Sequence, residues 1–144
     1  MPKATATCNS IINLMYRATA WASVADNAAS SPYANVYVGL HTSDLTAATG
    51  SQAENETAYT NYARQAAARS TGWDAASGGG TANAATISFP QCGVTGATLT
   101  HVSTGPVVSG ASAVWHYGAL NASLVVSSGI TPQFAGGALT VTES

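Results

Sequence analysis

From Trp73 onward, glycine and proline interrupt the sequence every few residues: Gly78-Gly79-Gly80, Pro90, Gly93, Gly96, Gly105-Pro106, Gly110, Gly118, Gly129, Pro132 and Gly136-Gly137. These residues mark turns, glycine because it reaches positive φ and proline because its ring fixes φ. The runs between them are short and of β type: Ala85–Phe89, Ala97–Ser103, Ala113–Tyr117, Ser123–Val126 and Ala138–Thr142. Many short strands closed by such turns fit an antiparallel sandwich or barrel. We therefore expect a mainly β chain, an antiparallel β-sandwich of jelly-roll type, in one domain over residues 1–144.

Upstream of this region the pattern changes. Ile11, Leu14, Met15, Ala18, Trp21 and Ala22 recur at three- and four-residue steps, which predicts one N-terminal amphipathic helix within residues 8–28. Thr7 is the expected N-cap. The stretch from Asn27 to Pro32 is the expected stop, because a residue before proline avoids the helical region. The sandwich body then occupies 35–144. Asn35–Thr42 is its clearest strand, with Val36, Val38 and Leu40 on one face and Tyr37, Gly39 and His41 on the other. Ser43–Asn61 reads as an irregular loop. Tyr62–Arg69 fits either a helix by propensity or a strand by its alternation.

Charge narrows the range of partners. Only 7% of the 144 residues are charged, against roughly 25% in an ordinary soluble domain, and the formal net charge is −2. Between Asp74 and Glu143 there is no Asp, Glu, Lys or Arg, only His101 and His116. A basic footprint for nucleic acid or anionic lipid is missing. Free monomers usually keep their copies apart with surface charge, so this half is expected to be covered in use. The plainer reading is that small neutral residues keep it soluble.

Cys8 and Cys92 make neither a disulfide framework nor a zinc motif and read as buried thiols. Lys3 and Ala20-Trp21-Ala22 have the outline of an export signal. However, Asn9, Ser10, Asn13 and Arg17 interrupt the apolar segment it needs. No stretch has the length of a membrane-spanning helix, and synthesis in a cytosol is expected. The sequons at Asn55 and Asn121 carry little meaning there.

Catalytic constellations are sparse. Glu54 and Glu56 alternate along a polar loop and read as solvated acids rather than a glycosidase pair. His41 and Asp44 lie close in sequence, but His-Thr-Ser-Asp after a strand usually means a turn. His41, His101 and His116 have no ligand spacing for a metal, and Gly78-Gly79-Gly80 lacks the lysine and helix of a phosphate loop. No catalytic residue, metal or cofactor is assigned. The dispersed Trp, Tyr and Phe rings read as core or contact aromatics rather than a base-stacking platform; a sugar-binding surface would need only some of them exposed.

Several segments carry a resemblance as an ordered set: Val36-Tyr37-Val38-Gly39-Leu40-His41-Thr42, Tyr62-Ala63-Arg64, Gly72-Trp73, Thr86-Ile87-Ser88-Phe89-Pro90, Val102-Ser103 and Gly129–Leu139. From about residue 8 to the C-terminus the chain resembles a family of small tailed-phage virion proteins of tail-fibre-like or structural label. It departs at Asp44-Leu45, where the family has Asp-Pro, and at Ile87-Ser88, where it has Ile-Thr. The resemblance implies a β-sandwich subunit with no catalytic residues, and it favours a strand over Tyr62–Arg69.

Two particle roles fit this reading. A capsid cement protein would clamp neighbouring copies of the major capsid protein on the capsid surface of the virion, self-associating most often as a trimer. A tail or tail-fibre component, an adhesin with or without glycan binding, is the alternative. The short chain, without coiled-coil heptads or a β-helix repeat, favours cement. Trp115, His116 and Tyr117, on a strand bulky on both faces, and Met15 and Trp21 on the helix are the expected contacts. The competing expectation is that all five belong to the core.

Overall fold

The computed structural model describes residues 3–21, 24–25, 32–45 and 50–143. In chain order its elements are α1 (Thr5–Tyr16), β1 (Asn35–His41), β2 (Gln65–Ala68), β3 (Gly80–Ala82), β4 (Ile87–Ser88), β5 (Ala97–Gly105), β6 (His116–Val126), β7 (Gln133–Phe134) and β8 (Thr140–Thr142). Among the described residues the fold is mainly β, with antiparallel sheets and a single N-terminal helix. One sheet has the order β2-β1-β5-β6, and two-stranded ladders join β3 to β8 and β4 to β7. The chain forms two compact units. Unit 1 comprises Met1–Asn35, Ala67–Ile87 and Phe134–Ser144; unit 2 comprises Val36–Ala66 and Ser88–Gln133.

In unit 1, Cys8, Ile12 and Tyr16 are the buried stripe of α1, repeating at four-residue steps. Tyr16 meets Trp73 edge-to-face, with ring centroids 4.6 Å apart. Polar residues of the helix fasten the chain beside it: Asn13 accepts from Ala76 N–H at 3.1 Å and Asn9 from Gly79 N–H at 2.6 Å. Gly79 has φ +83, and a Cβ there would lie 3.0 Å from the Glu143 carbonyl oxygen. Buried Asn83 satisfies the turns around it, donating to the Ala85 and Ala135 carbonyls and accepting from Leu139 N–H.

The helix is shorter than the 8–28 segment expected from the sequence. Ala4, not Thr7, is the N-cap, and no side chain caps it. After Tyr16 the chain leaves the helix: Arg17 is the C-cap and Ala18 takes a left-handed φ of 54°. Trp21 and Ala25 then pair in an isolated antiparallel bridge. Tertiary contacts stop the helix here, because buried Arg69 donates from Nε to the Met15 carbonyl at 2.7 Å and from Nη2 to that of Leu14 at 2.5 Å. Those carbonyls would otherwise be orphaned at the helix end. The expected stop over 27–31 and Ala22 lie outside the described residues.

Unit 2 is built on β1, β5 and β6. Tyr37 pairs with Gly105, Gly39 with Ser103 and His41 with His101. The predicted faces of β1 are observed: Val36, Val38 and Leu40 are buried in the apolar core, to which Leu99, Val102 and Val126 belong. The strand reading of Tyr62–Arg69 holds over Gln65–Ala68. Two expected strands, Ala113–Tyr117 and Ser123–Val126, are one. Gly118 is not a turn but a rung opposite Val102. The ladder is irregular: His101 faces Ala119 and Leu99 faces Leu124, which leaves residues 120–123 opposite Thr100 alone. This bulge bends the edge strand.

Candidate functional site

On the face of β1 opposite its valines lies a chain of buried polar side chains. His41 Nδ1 is 2.9 Å from the Glu54 carbonyl oxygen, which only accepts, so Nδ1 carries the proton. Its Nε2 therefore accepts from the Ser103 hydroxyl at 2.8 Å. Gln52 Nε2 donates to Ser103 Oγ at 3.1 Å and to the Tyr37 carbonyl at 3.0 Å. Burial pushes the His41 pKa below its ordinary value of 6.5 and keeps the ring neutral.

Gln52 Oε1 in turn accepts from Arg64 Nη1 and from Ser112, each at 3.3 Å. Arg64 grips Glu56 with both arms of its fork, Nε to Oε1 at 2.7 Å and Nη2 to Oε2 at 2.8 Å. Planar two-point pairing of this kind is the strong form of an ion pair. Tyr62 donates to Glu56 Oε1 at 2.8 Å and accepts from Leu40 N–H at 3.0 Å. Burial, then the charge of Glu56, hold the Tyr62 hydroxyl protonated far above its usual range.

Two glycines make room for this network. A Cβ on Gly39 would sit 3.3 Å from Ser103 Oγ and 3.4 Å from His41 Nε2. One on Gly105 would sit 2.3 Å from Gln52 Oε1, well inside van der Waals contact, so a side chain at 105 would drive Gln52 out.

The network also orders the loop that enters β6. Arg64 donates to the Val107 and Gly110 carbonyls at 3.2 and 2.8 Å. Gln52 N–H reaches the Ser112 carbonyl, and Trp115 N–H that of Thr104. The strand so positioned is the outermost of the sheet. Residues 121–125 of β6 are exposed on both faces.

Chemically, a serine donating to a histidine resembles a nucleophile with its base. Here Ser103 and His41 are fully buried, and Gln52 occupies the remaining side of the hydroxyl. The arrangement is a closed set of hydrogen bonds, and its effect is to fix one geometry. Among the described residues, no three His, Cys, Asp or Glu side chains are placed to hold a metal ion, and no helix is long and apolar enough to cross a membrane.

Asp44 does not meet His41; its nearest histidine is His101, at 3.6 Å. Glu56 is not a solvated loop acid, since the Arg64 pair claims it. Met15 and Trp21, half-buried, belong to unit 1; Trp115, His116 and Tyr117 belong to unit 2 at the start of the edge strand, with Tyr117 exposed. The network residues Gln52, Glu56, Tyr62, Arg64 and Ser103 escaped the sequence reading. One signal was available: in a chain with so few charges, an arginine in an apolar run needs an acid.

A small antiparallel β chain with Arg64 and Arg69 buried and a neutral strand at its edge has the build of a structural subunit. Residues 3–142 match the family model described as Podophage GP4 fiber I protein gp80, and the chain belongs to that family. It is thus a tailed-phage virion structural protein, in line with the ordered motifs of its sequence. No curated protein matches the chain.

Proposed function

We propose that the chain is a non-enzymatic component of the phage tail or tail fibre, acting as a rigid subunit that packs against other chains of the particle. The observation that carries this reading is the family match, which spans nearly the whole chain and whose description is that of a fibre protein. It moves the weight from the capsid cement role expected above, with the major capsid protein as partner, to the tail-fibre alternative. The buried network fits the same role. A part that transmits force between neighbours benefits from a frame whose geometry is fixed by satisfied polar contacts rather than by apolar packing alone.

Under this reading the chain self-associates, with a trimer as the first expectation, and the neutral strand entered by Trp115, His116 and Tyr117 contributes contacts. Met15 and Trp21 remain candidates in unit 1. Quantitative mass spectrometry of purified particles, against the major coat protein, tests the location. A handful of copies per particle is expected. Hundreds, comparable with the coat subunit, would put the chain on the head and restore the cement reading.

A further inference from the structure

The end of unit 2 where β5 begins and β6 finishes holds apolar side chains in water on a rigid support. Val94 is 91% exposed, Val125 69%, Ile130 41% and Leu124 40%. The turn carrying Val94 is fastened to Thr60 by three hydrogen bonds. Gly93 N–H donates to the Thr60 carbonyl at 3.0 Å, Thr60 N–H to the Thr95 carbonyl at 2.8 Å, and Thr95 N–H to the Thr60 hydroxyl at 2.9 Å. Gly93 is fitted to this clamp, since a Cβ there would lie 2.7 Å from Thr60 Cγ2. The turn carrying Ile130 is tied to the same place: Cys92 N–H donates to the Ile130 carbonyl at 2.8 Å, and Gly129 N–H to that of Cys92 at 2.9 Å. Ala97 opposite Val126 is the last rung of the strand pair, so both turns and Val125 share one end.

A flexible loop displays a valine at little cost because it can fold the side chain away. A turn locked by three hydrogen bonds cannot, so the exposed valine is a permanent feature. Preformed apolar anchors are what binding surfaces use, because no ordering entropy is lost on contact.

We propose that this end, through Val94, Val125 and Ile130, is a seam between copies of this chain, an inference that rests on the structural role proposed above. Charge selects the occupant. No Asp, Glu, Lys or Arg occurs from Ala75 to Thr142. Of the four cations, Arg64 is turned into the network, Arg69 onto the Leu14, Met15 and Tyr33 carbonyls, Arg17 onto that of Trp73, and Lys3 onto Glu143. A partner with a charged face would lose the hydration of its charges and gain no counter-charge here. A second copy brings the same neutrality, so the two meet without like-charge repulsion. The bulge at 120–123 interrupts the β6 edge. That limits strand-on-strand growth, and the contact closes through side chains at the strand's end. Three side chains make a small patch, so association in solution is weak and concentration-dependent, and it gains from multivalency within a particle.

Sedimentation equilibrium of the full chain over a concentration series tests this. The weight-average mass of the wild type is expected to climb above the 14.4 kDa of one chain. V94D and V125D are each expected to weaken association by about tenfold or more, because an unpaired carboxylate is buried at the contact. V94D is the decisive variant, since a side chain this exposed contributes nothing to the core and the melting midpoint should not move. A wild type that stays at the mass of one chain throughout, or a V94D protein that associates as tightly as wild type, overturns the seam. Either result leaves the copy number per particle, and so the fibre reading, untouched; hundreds of copies per particle would sink that reading and leave the seam standing.

Discussion

Arg64 and Arg69 are five residues apart and both buried, yet each unit answers the burial of a guanidinium differently. In unit 1, Arg69 is given neutral acceptors only among its described hydrogen bonds, the carbonyls of Leu14, Met15 and Tyr33. Burial pulls its pKa below the ordinary value, though it stays charged at any physiological pH. In unit 2, Arg64 faces the Glu56 carboxylate in two-point contact and shares it with Tyr62. Arg69 serves the backbone, ending a helix and holding the segment before β1. Arg64 serves a network of side chains, in which each member depends on the next. The first arrangement degrades in steps when perturbed; the second strands a charge.

Substituting Arg64 should break this comparison most visibly. Arg64→Ala leaves Glu56 without its counter-charge and the Val107 and Gly110 carbonyls without their Arg64 donor, and loss of one partner of a buried pair costs about 3–5 kcal/mol. Urea denaturation followed by the whole-chain signal measures it. Stability within about 1 kcal/mol of wild type would show that the pair is not a structural tie.

A smaller effect is expected from Arg69→Ala, because the Leu14, Met15 and Tyr33 carbonyls that lose their donor are neutral. Hydrogen bonds from a charged donor are each worth about 1.5–3 kcal/mol net, and water replaces part of them at a helix end. A loss of about 2–3 kcal/mol is expected, together with a weaker helical signal at 222 nm from fraying of α1. An unchanged helical signal would mean that Arg69 does not hold the helix end.

Proton linkage sharpens the comparison with the smallest effect. The folded-state pKa of His41 lies below its unfolded value of 6.5, so the unfolded chain binds the proton that the folded network refuses. Stability is then independent of this residue above pH 6.5 and falls as pH drops from 6.5 toward the folded pKa. The slope is at most about 1.4 kcal/mol per pH unit for one proton. Denaturation curves at pH 7, 6 and 5 for wild type and His41→Gln check the sign. A slope that survives the substitution would assign the pH dependence to other groups.

Features that depend on neighbours in sequence were legible beforehand. Period-2 alternation placed Val36, Val38 and Leu40 on one face of β1, whereas the three- and four-residue steps announced an N-terminal helix but set its apolar stripe on Ile11, Leu14 and Met15 rather than on the buried Cys8, Ile12 and Tyr16. Glycine and proline punctuation gave the mainly β class. The helix end was not legible, because it is set by a guanidinium from 52 residues beyond Arg17 and by a left-handed Ala18, a conformation alanine adopts only when the surroundings impose it. Gly118 looked like a turn because glycine's preference is for freedom, not for bending. Opposite Val102 that freedom is simply unused.

The sequence by itself therefore determined the class of fold, the faces of its best strand, the neutrality of its second half and the kinship carried by its ordered motifs. Tertiary structure alone decided that Glu56 belongs to Arg64, that His41 belongs to Ser103 rather than Asp44, and that Val94 stands clamped in solvent. Local periodicity is a property of consecutive residues, and it survives in the sequence. Which donor meets which acceptor depends on how distant segments are brought together, and an ion or hydrogen bond buried there is fixed by that approach.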